Sequence, residues 1–158
     1  MPRISEQHII IPMNEAKDTG SAGIDFDSVH MGRLHSLSVC IPMGAITGNS
    51  IIKVACGATE GTKTTDIAFK YRLGGGDFKA ASADILGAAT AVTSSGLTMT
   101  ATTYDHRLLV IEIDADTVTD GQPWVTVYVD STASVFLGAA VGIGYPRHQS
   151  NTPVTVIK

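Results

Sequence analysis

The chain has 158 residues, a formal net charge of −4, 44% hydrophobic residues and only 16% charged residues. That length suits one domain able to bury a core, and the apolar content excludes a largely disordered chain. The acidic balance, with no basic cluster longer than Lys70-Tyr71-Arg72, excludes the electrostatic footprint of a nucleic-acid binder, and no apolar run reaches the length of a membrane helix.

Residues 1–22 read as an N-terminal arm. Met1-Pro2-Arg3 leads into no long apolar stretch, so no signal peptide is expected. His8-Ile9-Ile10-Ile11-Pro12 is a short sticky segment, followed by polar and glycine residues from Asn14 to Ser21. Such a stretch cannot build a core alone and is expected to dock elsewhere.

Across 23–148 a period of two dominates, the mark of strands with one buried face. Leu37, Val39 and Ile41 alternate with Ser36, Ser38 and Cys40, and Ile51–Cys56 is a compact apolar strand. Ile67, Phe69, Tyr71 and Leu73 alternate with Asp66, Ala68, Lys70 and Arg72, and Gly74-Gly75-Gly76 ends that run. Phe78–Ala89 is the one helical candidate, rich in alanine but short and interrupted by Gly87. Further strands are predicted at Leu97–Thr102, Leu109–Asp114, Trp124–Val129 and Val135–Tyr145.

The tail, 149–158, carries Val154-Thr155-Val156-Ile157 after Pro153. It could equally extend a neighbour's sheet edge or form a strand on its own domain. No helix alternates with the strands, so the pattern predicts an all-β antiparallel sandwich, jelly-roll-like, with an extended N-terminal arm.

Chemical motifs are weak. Gly57–Thr64 superficially matches a phosphate-binding loop, but only three residues separate the glycines, Thr62 precedes Lys63, and a strand follows. Glu112, Asp114 and Asp116 share one face if all lie on a strand. They read as a solvent-facing row, with a hard-cation site or a carboxylate hydrolase as the sharper alternatives. The five histidines, His8, His30, His35, His106 and His148, lack metal-site spacing, although His30 and His35 could meet across a turn. No Gly-x-Ser-x-Gly elbow is present.

Cys40 and Cys56 fall in different predicted strands and read as free thiols. Tyr104-Asp105-His106-Arg107 is the densest polar cluster, a loop or an interface rim, and Trp124 is core or rim. No catalytic, metal or cofactor-binding residue emerges. The chain reads as a binding or structural module and not as an enzyme.

The C-terminal half carries a family pattern. Leu108-Leu109-Val110-Ile111-Glu112-Ile113-Asp114-Ala115-Asp116 leads to a glycine turn and Trp124-Val125-Thr126-Val127-Tyr128-Val129-Asp130. Then come Leu137-Gly138-Ala139-Ala140-Val141-Gly142-Ile143-Gly144 and Tyr145-Pro146-Arg147. Over roughly 61–148 this resembles the head decoration, or cement, proteins of tailed bacteriophages.

The resemblance implies a β-sandwich that forms a homo-dimer or homo-trimer and binds the major capsid protein on the outside of the virion, after synthesis in the host cytoplasm. It implies no catalytic residue, cofactor, nucleic acid or membrane. Candidate contacts are His8, Ile9, Ile10 and Ile11 in the arm, Tyr104, Arg107 and Trp124 on the body, and Val154 and Val156 in the tail. The rival readings are a tail or head-fibre component and a carbohydrate-binding sandwich, the latter disfavoured by only 6% aromatic residues.

Overall fold

The computed structural model describes residues 3–18, 20, 22–131 and 135–148. In chain order the strands are β1 (Ile9–Pro12), β2 (Lys17–Asp18), β3 (Ile24–Asp25), β4 (Val29–His30), β5 (Leu34–Ile46), β6 (Ser50–Gly57) and β7 (Thr65–Asp66). There follow β8 (Phe69–Leu73), β9 (Thr90–Val92), β10 (Leu97–Met99), β11 (Leu108–Asp114), β12 (Trp124–Ser131), β13 (Val135–Leu137) and β14 (Val141–Pro146).

They form two antiparallel sheets. The first runs β1-β14-β5-β11-β8-β9, with β13 joined to β5 and to β2. The second runs β10-β6-β12-β3, with β4 on β12 and β7 on β6. The sheets bury one continuous core between them, the two-sheet architecture that the alternation predicts.

Each inner face follows from the pleat. On β5, Leu37, Val39, Ile41 and Met43 are fully buried, while Ser36, Ser38, Cys40 and Pro42 point outward. Leu109, Ile111 and Ile113 of β11 lie in register beside Ile41, Val39 and Leu37. The second sheet answers with Ile52, Val54 and Cys56 of β6 and Val125, Val127 and Val129 of β12. Cys40 and Cys56 therefore sit in different sheets, and both are free thiols.

Strand β14 inverts this rule. Its inner positions are Gly142 and Gly144, and its larger side chains, Val141, Ile143 and Tyr145, point out. A Cβ on Gly142 would lie 2.9 Å from Met13 Sδ, and one on Gly144 would lie 3.0 Å from Leu34 Cδ1. The core beneath β14 is filled by side chains from its neighbours, which leaves no room for side chains of its own.

Several expectations change. Residues 9–12 of the expected arm pair with β14 of the same chain, and Ile11 and Met13 enter the core. The segment has found its partner within its own sheet. The helical candidate Phe78–Ala89 is a chain of tight turns, closed by Ala80 N–H to Asp77 O, Ala83 N–H to Ala80 O and Ile85 N–H to Ser82 O. Alanine propensity yields here to the fixed ends of the loop. The strand after Leu97 stops at Met99, and Ala101–Tyr104 makes a single helical turn.

The expected long strand 135–145 is split between β13 and β14. Leu137 lies opposite Met43 and Val141 opposite Cys40, so the chain inserts one extra residue there. The tail, with Val154 and Val156, lies outside the described residues.

Replacing Gly142 or Gly144 by Val should lower stability by about 1–3 kcal/mol through overpacking. Val141→Thr on the same strand should change it by less than about 0.5 kcal/mol. Urea unfolding of the three variants checks this.

Candidate interaction surfaces

The outer face of the first sheet has two unlike halves. On β11 and β8 it is charged. Glu112 is registered opposite Lys70, yet its closest partner is Arg72 Nε at 2.9 Å, while Lys70 Nζ lies 3.8 Å from Asp114. Asp116 leaves the row on a 3-10 turn, Ala115–Thr117. Lys70, Glu112, Asp114 and Asp116 border a shallow hollow of ≈ 250 Å³. Two basic side chains pair with Glu112 and Asp114 of this row, and among the described residues no group of three His, Cys, Asp or Glu is placed to hold a metal.

On β1 and β14 the same face is apolar. Ile10 sits beside Ile143 and Pro12 beside Val141. The Tyr145 ring lies 5.6 Å from the rings of both His8 and His35. Ile10 and Tyr145 are each 50% exposed.

A second exposed apolar group lies on the loop joining β8 to β9. Its base is locked by Gly74 N–H to Leu108 O, Gly75 N–H to Ile85 O and Gly87 N–H to Leu73 O. The glycines permit this closeness: a Cβ on Gly75 would sit 2.8 Å from Ser82 O, and one on Gly74 2.9 Å from Ala83 O. Phe78 N–H donates to His106 O and ties the loop to the turn before β11. The loop then shows Phe78, Ile85 and Leu86 to solvent, Ile85 at 63% exposure. Beside it an open groove of ≈ 580 Å³ is lined by Pro42, Met43, Ala45, Phe78 and His106, among others.

The outer face of the second sheet is a closed polar network. Tyr128 Oη donates to Asp66 at 2.8 Å, and Lys53 approaches the other Asp66 oxygen at 3.7 Å. Lys63 pairs with Asp25 at 2.6 Å and sits 4.4 Å over the Tyr128 ring. Burial, then the hydrogen bond and charge of Asp66, then Asp130 and Asp25, hold the Tyr128 phenol well above its ordinary range.

The structure redistributes the candidate contacts. Tyr104 is buried, its hydroxyl 3.4 Å from that of Tyr71, so it belongs to the core and not to a rim. Arg107 is half-buried, and its carbonyl accepts from Met43 N–H. Asp105 of the same cluster accepts from Ile46 N–H at 2.6 Å and caps the end of β5. Trp124 is half-buried on the outer face, with the His30 ring edge-on at 5.0 Å.

His30 and His35 thus serve different aromatic partners and do not meet. Gly57–Thr64 folds as a turn back onto its own strand, with Thr64 N–H on Cys56 O and Gly61 N–H on Ser28 Oγ. Reading from residue pattern misses the loop residues Phe78, Ile85 and Leu86, and the outward direction of Val141, Ile143 and Tyr145. The available signal for the latter is the glycine at every second position of that strand. Among the described residues no helix is long and apolar enough to cross a membrane. Comparison with protein-family models, curated proteins and solved structures gives no match.

The Tyr128 phenol is protonated more tightly folded than unfolded, so its contribution to stability is complete below the ordinary tyrosine range near pH 10 and falls as pH rises through and above it. Tyr128→Phe should lessen the alkaline loss of stability above about pH 10, measured by urea unfolding across a pH series.

Proposed function

We propose that this chain is a structural virion protein that binds the outer surface of a phage capsid and stabilises it across subunit seams, acting as a homo-oligomer. The observation that carries the reading is the glycine-locked loop that holds Phe78, Ile85 and Leu86 in water. A loop pinned by its own backbone loses little further entropy when it docks, so its apolar side chains favour binding at low ordering cost. Exposed apolar groups of this kind mark contact sites.

The decoration-protein pattern over 61–148 supports the same reading, because its segments supply β11, β12 and β14. Sparse charge on the chain lowers the desolvation cost of covering its faces. A contact of about 800 Å² per partner suffices for specific binding, and several copies on one lattice add avidity.

Isolated capsids heated with and without the protein test this. The protein should co-sediment with capsids and raise the temperature at which they release their contents. The triple variant Phe78→Asp, Ile85→Asp, Leu86→Asp should fold normally by circular dichroism and lose at least about tenfold in capsid affinity. Capsids that neither bind the protein nor gain heat resistance overturn the proposal.

A further inference from the structure

We infer that the outer face of β1 and β14 is a two-fold contact with a second copy of this chain. The inference deepens the oligomeric part of the proposed function and is independent of what the loop binds.

Four observations carry it. First, the large side chains of β14 point away from a core that accepts only glycine beneath them. Val141, Ile143 and Tyr145 therefore add nothing to the core, and Ile10 and Pro12 continue the strip in register. A contact between two such strips removes all of them from water.

Second, the contact is through the face and not through the sheet edge. Met13 N–H donates to Ala140 O. That sets the alternation of the β1–β14 ladder, so Ile9 and Ile11 bond to β14 while Ile10 and Pro12 turn their backbone groups to the side where no described strand pairs. Pro12 has no N–H to offer there, and the strand is four residues long. An edge built this way resists strand addition.

Third, the strip carries no Asp, Glu, Lys or Arg, so two chains of net charge −4 can meet on it without burying like charges. Fourth, its two ends differ in sign. At the Tyr145 end stand Arg3, Arg33 and Arg147 against the single acid Glu6, with Arg147 Nε donating to Leu34 O at 2.9 Å and Arg3 exposed before β1. At the Pro12 end the chain continues to Glu15 and Asp18, with Lys17 between them.

A two-fold axis perpendicular to the strands, passing through the Ile10–Ile143 row, lays each basic end over the partner's acidic end. It places Ile10 on Ile10, Ile143 on Ile143 and the bulky Tyr145 over the smaller Val141. A self-complementary patch of this kind closes as a dimer.

Sedimentation equilibrium without capsids tests the contact. The wild-type protein should be a dimer that dissociates on dilution and more readily in high salt. Ile10→Asp with Val141→Asp, both at outward positions, should keep the wild-type circular dichroism spectrum and weaken dimerisation at least tenfold. Arg3→Glu and Glu15→Arg should each weaken it, and the double variant should regain most of the loss, because each new acid then faces a new base.

A wild-type monomer at every concentration overturns the inference. So does a higher oligomer, a dimer indifferent to Ile10→Asp and Val141→Asp, or a charge swap that fails to rescue. Loss of capsid binding by a protein that still dimerises would count against the decoration reading alone.

Discussion

The structure hangs on one strand. β5 is thirteen residues long and bonds to β11 on one side and to β14 and β13 on the other. Its inner row, Leu37, Val39, Ile41 and Met43, is wholly excluded from water and packs between its neighbours and the second sheet. Hydrophobic burial along this row fixes which face of the first sheet points inward. Every surface described above is defined by that choice, because a strand slipped by one residue exchanges its two faces.

Two kinds of surface result. In the charged half of the first sheet Arg72 pairs with Glu112 and Lys70 lies near Asp114, and in the Tyr128 network Lys53, Lys63, Asp25 and Asp66 pair with one another. The apolar strip on β1 and β14 and the loop before β9 are different: Ile10, Val141, Tyr145, Phe78, Ile85 and Leu86 stay exposed among the described residues. They lie at opposite edges of the same sheet, since β1 and β9 are its outermost strands. The two apolar surfaces are thus separated by the full width of the sheet.

Much of the fold was legible in the residues. The alternation around Leu37, Ile111 and Val127 marked strands and their buried sides correctly, because burial is what alternation records; the run 66–73 kept its buried side at Ile67 and Phe69 but is broken after Asp66, so that β7 joins the second sheet and β8 the first. Connectivity is not recorded there, since a strand's pattern is the same whichever neighbour it joins. His8–Pro12 looked unattached because five residues cannot show that their partner lies over a hundred positions away. Ala-rich 78–89 suggested helix because propensity is local, whereas the loop is set by backbone bonds at its ends.

The interaction surfaces were harder to see. Tyr104, Arg107 and Trp124 have the residue types common at interfaces, and side-chain type does not report exposure. Tyr104 turned inward, while Ile85, an ordinary core residue by type, faces solvent. On β14, alternation itself misleads: a valine, isoleucine and tyrosine at every second position suggest a buried row, yet the glycines between them line the core.

The extra residue between Leu137 and Val141 acquires a larger meaning here. Met43 faces the interior and Cys40 the exterior, so the insertion advances one strand by half a pleat against its fixed neighbour. Remove one residue from that step and the last strand would have to seat Val141, Ile143 and Tyr145 where only glycine fits. The outward placement of these apolar side chains is thus written in chain length as much as in residue type: the spacing between Leu137 and Val141 decides which row of the last strand meets the core.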